Sequence, residues 1–258
     1  MYSDWHRLVA VLYEGQGDIA LFRQLADGLG IPLIFPAELN LNNDQLFFLS
    51  WREGCLSLLD KERIKNRGGL YVDIERRQGE QRSWPIAKVG ALAQALGRKT
   101  KTVVDATAGW GQDSLAIFRM GYEVLCVERS PVMAKLLADG LNRLARLDWM
   151  QQLNLAAPKL LTGNAVEILE QLTVQPDCIY LDPMFPAKRK KSALAKKSIM
   201  VLRDLVGDDA DKEQLFATAL KVAGKRVVVK STDYAEPLGG KPNESFQGKL
   251  LRYDVYLK

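Results

Sequence analysis

The sequence predicts an α/β fold with a main domain at residues 86–258 and a small α/β lobe at residues 1–85. Three observations support this prediction. From Thr102 onward, short apolar runs alternate with amphipathic helical patterns, which is typical of an α/β sheet. Polar stretches at 64–69 and 79–85 break the chain and place the boundary near residue 85. At 258 residues, the chain is long enough to bury a substantial core.

The main domain contains six predicted strands joined by helices. These strands are 102–105, 123–128, 159–162, 177–182, 225–231 and 250–257. Between the second and third strands, apolar residues recur at spacings of three and four and form one helix face, and Pro131 suits the first turn of that helix. The face consists of Met133, Leu136, Leu137, Leu141, Leu144 and Leu147. Further helices are predicted at 86–96, 113–120, 164–171 and 192 to about 205.

The first lobe has a different pattern, with shorter apolar runs and a single helix. Its predicted strands are 8–13, 32–35, 45–51 and 69–75, and its helix is 18–29. No internal repeat and no low-complexity tract is present in the sequence. These features predict a small mixed lobe that precedes the main sheet.

Composition excludes several classes of function. No apolar run reaches the roughly 18 to 20 residues of a membrane span, and the first residues do not resemble a signal peptide, so we expect a cytoplasmic protein without a membrane partner. Cys55, Cys126 and Cys178 are scattered singly, which predicts neither a zinc site nor disulfides. His6 is the only histidine, which disfavours histidine-dependent hydrolases and histidine-rich metal sites. We therefore predict no metal.

Positive charge is concentrated in the main domain. Residues 1–85 hold 10 Lys and Arg against 12 Asp and Glu, net −2, whereas residues 86–258 hold 26 against 19, net +7. Such an excess is expected of a domain that binds a polyanion. An uneven but merely solvated surface explains the charge alone equally well.

A glycine-rich loop, in the run TVVDATAGWGQDSLAIF, follows the first strand of the main domain. Gly109 and Gly111 lie at the predicted strand-to-helix turn, where a missing side chain lets a ligand approach the backbone. Glu128 ends the next strand, 19 residues after Gly109, where nucleotide-binding folds of this type keep an acid for ribose hydroxyls. Asp105, which ends the strand before the loop, completes this predicted cofactor-binding group.

The residues of this loop favour S-adenosylmethionine over a dinucleotide. The full dinucleotide fingerprint needs glycine at Ser114, and Asp113 puts a negative charge where a pyrophosphate would lie. S-adenosylmethionine has no phosphate and carries an ammonium and a sulfonium group, so an acidic loop suits it. Asp113 is also explained by a favourable charge at a helix N-terminus, and Glu128 by a solvated strand end. Asn164, after the third strand, is predicted to contact adenine, to cap a helix, or both.

The run YLDPMFPAKRKK follows the fourth strand. Asp182, at the carboxyl end of that strand, should face the same crevice as the glycine loop. The segment DPMFP resembles the (Asp/Asn)-Pro-Pro-aromatic signature of methyltransferases that act on exocyclic amines of nucleobases, but Met184 replaces the second proline. An exocyclic amine is a poor nucleophile because its lone pair is delocalised. A carboxylate that accepts its N–H groups would orient the amine and stabilise developing positive charge.

The residues around Asp182 fit a nucleic-acid substrate. Phe185 is a candidate stacking platform for a flipped base, although core packing is the alternative, and Pro183 and Pro186 would stiffen the loop. Six of the ten residues from 188 to 197 are cations, which predicts phosphate contacts rather than a merely solvated run. These are Lys188, Arg189, Lys190, Lys191, Lys196 and Lys197.

Five segments together resemble the bacterial family of small-subunit ribosomal RNA guanine-N2 methyltransferases, which modify a guanine near the 3′ end of 16S RNA. They are VVDATAGWGQDSLA, VERSPVMAKLLADGL, YLDPMFP, KSALAKKSIMVLRDLVGDD and RVVVKSTDYAEPL. The resemblance runs from about residue 84 to residue 258 and is looser over the first lobe. It implies a Rossmann-like class I methyltransferase sheet, S-adenosyl-L-methionine as methyl donor, and 16S ribosomal RNA or the small ribosomal subunit as partner.

The resemblance also implies a set of cofactor contacts. By position these fall on Gln112 and Asp113, Glu128 and Arg129, Asn164 and Ala165, and Asp182. Relatives tend to have Arg at position 112 and small hydroxyl residues at positions 164 and 165, so backbone contacts are expected there. Catalysis is assigned to Asp182, Pro183 and Phe185.

Two other functions remain open at the level of sequence. The four-residue signature does not separate guanine from adenine or cytosine, in DNA or in another RNA. A non-catalytic RNA-binding module with a vestigial nucleoside fold is the alternative from a different class. The intact Gly109, Gly111, Glu128 and Asp182 disfavour it.

Overall fold

The computed structural model describes residues 5–39, 45–66, 68–74, 84–183 and 211–258. The first lobe forms a four-stranded sheet of order β2-β1-β3-β4, in which β1 is parallel to β2 and β3 and antiparallel pairing joins β3 to β4. Its elements are helix α1 (Trp5–Leu8), strand β1 (Val9–Leu12), helix α2 (Ile19–Leu29), strand β2 (Leu33–Ile34), a 3₁₀ turn (Pro36–Glu38), strands β3 (Phe47–Arg52) and β4 (Cys55–Asp60), and helix α3 (Lys61–Lys65).

The prediction of the last strand of this lobe is wrong. Within 68–74 only Leu70 pairs, through an isolated bridge to Leu58, and the fourth strand is β4 instead. A tight hairpin connects β3 to β4 because Glu53 and Gly54 both adopt positive φ, of 52° and 76°. A hairpin turn with positive φ at both loop residues usually contains Asn or Gly at the first position, and glutamate seldom adopts this conformation, so Glu53 is not a clear turn signal.

The main domain is built on a seven-stranded sheet of order β10-β11-β9-β8-β5-β6-β7. Its strands are β5 (Thr102–Asp105), β6 (Glu123–Glu128), β7 (Lys159–Thr162), β8 (Cys178–Leu181), β9 (Arg226–Thr232), β10 (Glu244–Gln247) and β11 (Leu251–Leu257). Strands β5 to β9 are parallel, and β11 runs antiparallel to both β9 and β10. The chain fills one side of the sheet with β6 and β7 and then crosses to β8, so strand order reverses between β5 and β8. Sheets of this type bind ligands at such a reversal.

The described helices of this domain are α4 (Gly90–Leu96), α5 (Gln112–Arg119), α6 (Pro131–Ala145), α7 (Asp148–Gln152), α8 (Ala165–Glu170) and α9 (Lys212–Val222). All six predicted strands are present, three of them with the predicted bounds. Helix α4 begins four residues later than predicted, because Val89 is still extended. Strand β10 and helices α7 and α9 were not predicted, and the helix predicted from 192 to about 205 lies outside the described residues.

Helix α6 joins the two sheets. Ser130 caps it by accepting from the backbone N–H of Met133, and the predicted apolar face is buried from Met133 to Leu144. On its other side, Asp139 accepts from the backbone N–H of Leu56 at 3.2 Å, and Arg143 donates to the carbonyl of Val72 at 2.7 Å. The lobe therefore packs against the main domain through one continuous apolar core. The division at residue 85 stays a prediction.

Two smaller observations complete the fold. Cys126 and Cys178 are free and fully buried in the main sheet, as expected of small apolar residues. Over the part of the chain that the structure describes, no helix combines the length and the apolar character needed to cross a membrane.

Candidate functional site

The carboxyl ends of four neighbouring strands bring acidic and basic groups to one edge of the main sheet. Asp105 ends β5, Glu128 ends β6, and Asp182 directly follows β8, which ends at Leu181, one residue earlier than predicted. Lys230 lies near the end of β9. Because β8 and β5 flank the reversal of strand order, these groups lie where the fold predicts a ligand.

The loop after β5 is held by the end of β6. The Oε2 atom of Glu128 accepts from the backbone N–H of Gly109 at 2.7 Å, and Oε1 accepts from that of Ser130 at 2.7 Å. Gly109 and Gly111 have φ of 51° and 70°, so the turn into α5 uses left-handed backbone. A Cβ at Gly111 would lie 2.5 Å from Cδ1 of Leu137 on α6. Conformation and packing therefore both favour glycine at this position.

Asp105 is a buried acid at the base of the site. It accepts from the backbone N–H of Thr107 at 3.1 Å and from the hydroxyl of Ser114 at 2.5 Å. Burial raises the pKa of Asp105 to about 7, and the negative charges of Asp113 and Asp182 act in the same direction. The carboxyl group is therefore partly protonated near neutral pH.

The glycine loop and Asp182 are in direct contact, as the sequence predicts. The backbone N–H of Asp182 donates to the hydroxyl of Thr107 at 2.7 Å, and Thr107 precedes Gly109 by two residues. Pro183, the next residue, is buried. The acid after β8 and the loop after β5 therefore border one crevice.

A lysine links Asp182 to the start of α5. The ammonium group of Lys230 lies 2.7 Å from Oδ2 of Asp113 and 2.8 Å from Oδ2 of Asp182. The hydroxyl of Tyr180 donates to the same oxygen of Asp113 at 2.6 Å. Burial alone lowers the pKa of Lys230, but the charges of Asp182 and Asp113 outweigh it and raise that pKa above its ordinary value. Burial and then the charge of Asp113 raise the pKa of Tyr180.

The remaining predicted cofactor residues lie around this crevice. Asn164 caps α8 by accepting from the backbone N–H of Val166 at 2.8 Å, and Ala165 is the first residue of that helix. Gln112 is the exposed first residue of α5. Arg129 follows Glu128, and its guanidinium lies 3.2 Å from Oδ1 of Asp211. These positions fit the predicted set, and the individual contacts stay predictions.

Several predicted residues lie outside the described part of the chain. They are Met184, Phe185, Pro186, Lys188, Arg189, Lys190, Lys191, Lys196 and Lys197. The stacking and phosphate-binding roles therefore stay predictions from sequence.

Sequence reasoning missed three polar members of the site. Thr107, Tyr180 and Lys230 make the contacts that join β5, β8, β9 and α5. Lys230 had a signal, since it is a lone cation directly after the buried run Val227 to Val229. A cation at such a position is usually paired.

The donor set of the crevice fits S-adenosyl-L-methionine. Asp105, Asp113, Glu128 and Asp182 contribute carboxyl groups against Lys230, so the crevice retains negative charge that suits an ammonium and a sulfonium. The carboxylate of Glu128 accepts from the backbone N–H groups of Gly109 and Ser130 at the end of β6, the position where folds of this type keep an acid for ribose hydroxyls. Among the described residues, no group of three or more His, Cys, Asp or Glu side chains could hold a metal ion.

Comparisons with known proteins agree with this assignment. A family model described as "Putative SAM-dependent methyltransferase" matches residues 33–258. The crystal structure of a SAM-dependent methyltransferase from Neisseria gonorrhoeae is similar with a TM-score of 0.65 and 26% sequence identity, over 96% of each chain. The Rossmann-like sheet, the glycine loop and the acidic edge thus define a SAM-dependent methyltransferase.

Similar curated proteins show which family of SAM-dependent methyltransferases the chain belongs to. Relatives named "Ribosomal RNA small subunit methyltransferase J" are 43% identical over 86% of this chain in Shewanella amazonensis and 38% identical over 96% in Coxiella burnetii. They are covered over 90% and 96% of their own lengths. A relative of the same name from Tolumonas auensis is 44% identical over 82% of this chain and 86% of its own length. The chain belongs to the ribosomal RNA small subunit methyltransferase J family.

Proposed function

We propose that this protein methylates the exocyclic N2 amine of a specific guanine in 16S ribosomal RNA. The observation that carries the proposal is the contact between Asp182 and the glycine loop through Thr107, at 2.7 Å. This contact brings a carboxylate suited to an amine next to the loop that suits the cofactor. The relatives' name supports ribosomal RNA of the small subunit as substrate. With such a substrate, the protein would act in the cytoplasm, either on naked ribosomal RNA or on an assembled small subunit.

Some residues of the crevice are proposed to bind the cofactor, and others to act on the nucleobase. Bound S-adenosyl-L-methionine supplies an electrophilic methyl group on a positively charged sulfur. Glu128 is proposed to hold the ribose hydroxyls, because it ends β6 beside the glycine loop, where folds of this type keep such an acid. Backbone and side-chain groups at Asp105, Asp113, Arg129 and Asn164 line the same edge and complete the proposed cofactor site.

Asp182 is proposed to act on the nucleobase. Its carboxylate accepts an N–H of the guanine amine, which turns the nitrogen lone pair out of conjugation with the ring. The same negative charge stabilises the positive charge that develops on nitrogen during transfer, and the extra proton leaves to solvent. No histidine is needed for this chemistry.

RNA recognition is proposed for residues after the catalytic acid. Phe185 would stack on the flipped base, and Pro183 would hold the backbone of that loop in place. Phosphate contacts are assigned to Lys188, Arg189, Lys190, Lys191, Lys196 and Lys197. Affinity for RNA should then fall steeply as salt rises.

The deciding experiment is mass spectrometry of 16S RNA from cells with and without this protein. We expect one N2-methylguanosine to be absent from the deletion strain and restored by the purified protein with S-adenosyl-L-methionine. Restoration on isolated subunits or on naked transcript identifies the natural substrate. Loss of a methyl group from adenine or cytosine would overturn the assignment of the base. Calorimetry that detects RNA binding but no cofactor binding would instead establish a non-catalytic RNA-binding module.

A further inference from the structure

Lys230 joins two acids of the crevice that come from different parts of the fold. It comes directly after three buried valines in β9, and its side chain is only 17% exposed. Burying an ammonium is costly unless it is paired. Here the pairing comes from Asp113 on α5 and Asp182 after β8, which lie 117 and 48 residues away in the chain.

Two carboxylates and two phenols surround the ammonium group of Lys230. Asp113 and Asp182 contact it directly, and both also raise the pKa of Asp105 below them. Two phenols complete the surroundings: Tyr180 donates to Asp113, and Tyr253 lies opposite Lys230 on β11. Burial and then the charge of Asp113 raise the pKa of Tyr253, so both phenols stay neutral. The ammonium of Lys230 therefore offsets the negative charge of Asp113 and Asp182.

We propose that Lys230 is a positioning residue that fixes the carboxylate of Asp182 and keeps it ionised beside Asp113. The proposal rests on the proposed function, because it gives Asp182 the role of accepting an N–H from the substrate amine. Without the ammonium, Asp113 and Asp182 would face each other as like charges, and one of the pair would take up a proton at higher pH. A protonated Asp182 would be a neutral acid with an O–H donor, so it would be a weaker acceptor and would lose the negative charge that stabilises positive charge on nitrogen.

The test compares Lys230→Met with Lys230→Arg, which keeps the charge. Lys225→Met is the matched control, since Lys225 pairs with Asp177 at 2.7 Å just before the other end of β9. We expect kcat of Lys230→Met at pH 7 to fall about tenfold or more, with the acidic limb of its pH profile moved up by about one to two pH units. In Lys230→Arg and Lys225→Met, the acidic limb of the pH profile should lie at the same pH as in the unmodified protein.

A second readout does not need turnover. Carboxyl ¹³C NMR of aspartate-labelled protein without cofactor, assigned with Asp113→Asn and Asp182→Asn, follows ionisation of the pair directly. In Lys230→Met one carboxyl of the pair should titrate one to two pH units higher than in the unmodified protein, roughly the size of shift that a lost ion pair produces. Should this variant fail to fold, Lys230→Gln removes the charge and keeps hydrogen-bond donors.

A double variant separates the charge effect from loss of packing. In Lys230→Met/Asp113→Asn the competing charge is also gone, so the titration of Asp182 should return towards that of the unmodified protein. The proposal would be overturned if kcat of Lys230→Met were lower at every pH but depended on pH as in the unmodified protein, and if the carboxyl titrations were unchanged. If the unmodified protein does not methylate guanine, the proposed function fails, whereas the NMR titration still decides whether Lys230 controls the two acids.

Discussion

Glu128 and Gly109 are joined by a hydrogen bond of 2.7 Å from the backbone N–H of the glycine to Oε2 of the acid. This bond ties the carboxyl end of β6 to the loop after β5, and Ser130 donates to the other carboxylate oxygen. Glu128 therefore shapes the glycine loop, in addition to the ribose-binding role proposed for it. The two roles act on one ligand, so a change at this residue should affect cofactor binding more than stability.

We expect Glu128→Ala to weaken binding of S-adenosyl-L-methionine by at least about tenfold, since a hydrogen bond to a charged group contributes about 1.5–3 kcal/mol. Isothermal titration calorimetry measures this directly. Glu123→Ala is the matched control, because Glu123 is exposed at the opposite end of the same strand. Equal affinities for the two variants would show that Glu128 does not contact the cofactor.

Asp182→Ala tests the catalytic assignment. Removing the acceptor should lower kcat by about a hundredfold or more, as for other preorganised groups that stabilise transition-state charge. RNA affinity should stay within a few-fold, because phosphate contacts are assigned to other residues. Filter binding and single-turnover assays on the same RNA give the two numbers. A parallel loss of turnover and RNA affinity would contradict the assigned role.

Gly111→Ala tests whether the turn into α5 needs glycine for packing as well as conformation. The positive φ costs about 1 kcal/mol, and contact with the fully buried Leu137 adds about 1–3 kcal/mol. Gly30→Ala is the control, since Gly30 has a φ of 65° with no atom within 4 Å of an added Cβ. Denaturant unfolding should show a larger loss for Gly111→Ala. Equal losses in the free energy of unfolding would mean that the Leu137 side chain moves aside without measurable cost.

Asp105→Asn should change how stability depends on pH. The folded-state pKa of Asp105 is raised from 3.8 to about 7, so the folded state binds a proton that the unfolded state releases. The stability from this group is complete below about pH 4 and is lost as pH rises to about 7, at about 1.4 kcal/mol per pH unit, on the order of 4 kcal/mol in all. The variant should lack this decline in urea unfolding at pH 5, 6 and 7. A parallel decline in both proteins would contradict the buried titration.

The sequence predicted the part of the fold that depends on local patterns. Buried parallel strands such as β5 and β8 are short apolar runs, and the acid after such a run marks the carboxyl end of the strand. The glycine loop, Glu128 and Asp182 were therefore found, and their convergence is confirmed. Strand β10 was missed because three of its four residues are exposed and no apolar alternation is present.

The charge network of the site could not be predicted in the same way. The bond from Thr107 to Asp182 and the pairing of Lys230 with two acids join residues that are 48 to 117 positions apart. Local periodicity contains no information on such pairs. The same limit applies to Glu128, whose position was predicted but whose bond to Gly109 was not.

Strand β11 lies between β9 and β10, so the sheet does not grow in chain order. In the described structure β10 pairs with β11, and their register joins Gln247 to Arg252, only five residues away. This hairpin can form early by itself, because closing a short loop is fast. Its docking against β9 brings three carbonyls to the guanidinium of Arg252, that of Thr232 at the end of β9 and those of Asp233 and Ala235 after it.

Docking of this hairpin also brings Tyr253 opposite Lys230, so one wall of the crevice depends on the pairing of β11 with β9. We expect pulsed hydrogen exchange during refolding to protect the amides of β5 and β8 before those that pair β11 with β9. Simultaneous protection would contradict this order. A nascent enzyme that has folded its central strands but not docked the hairpin would then be unable to modify RNA, which couples the onset of activity to completion of folding.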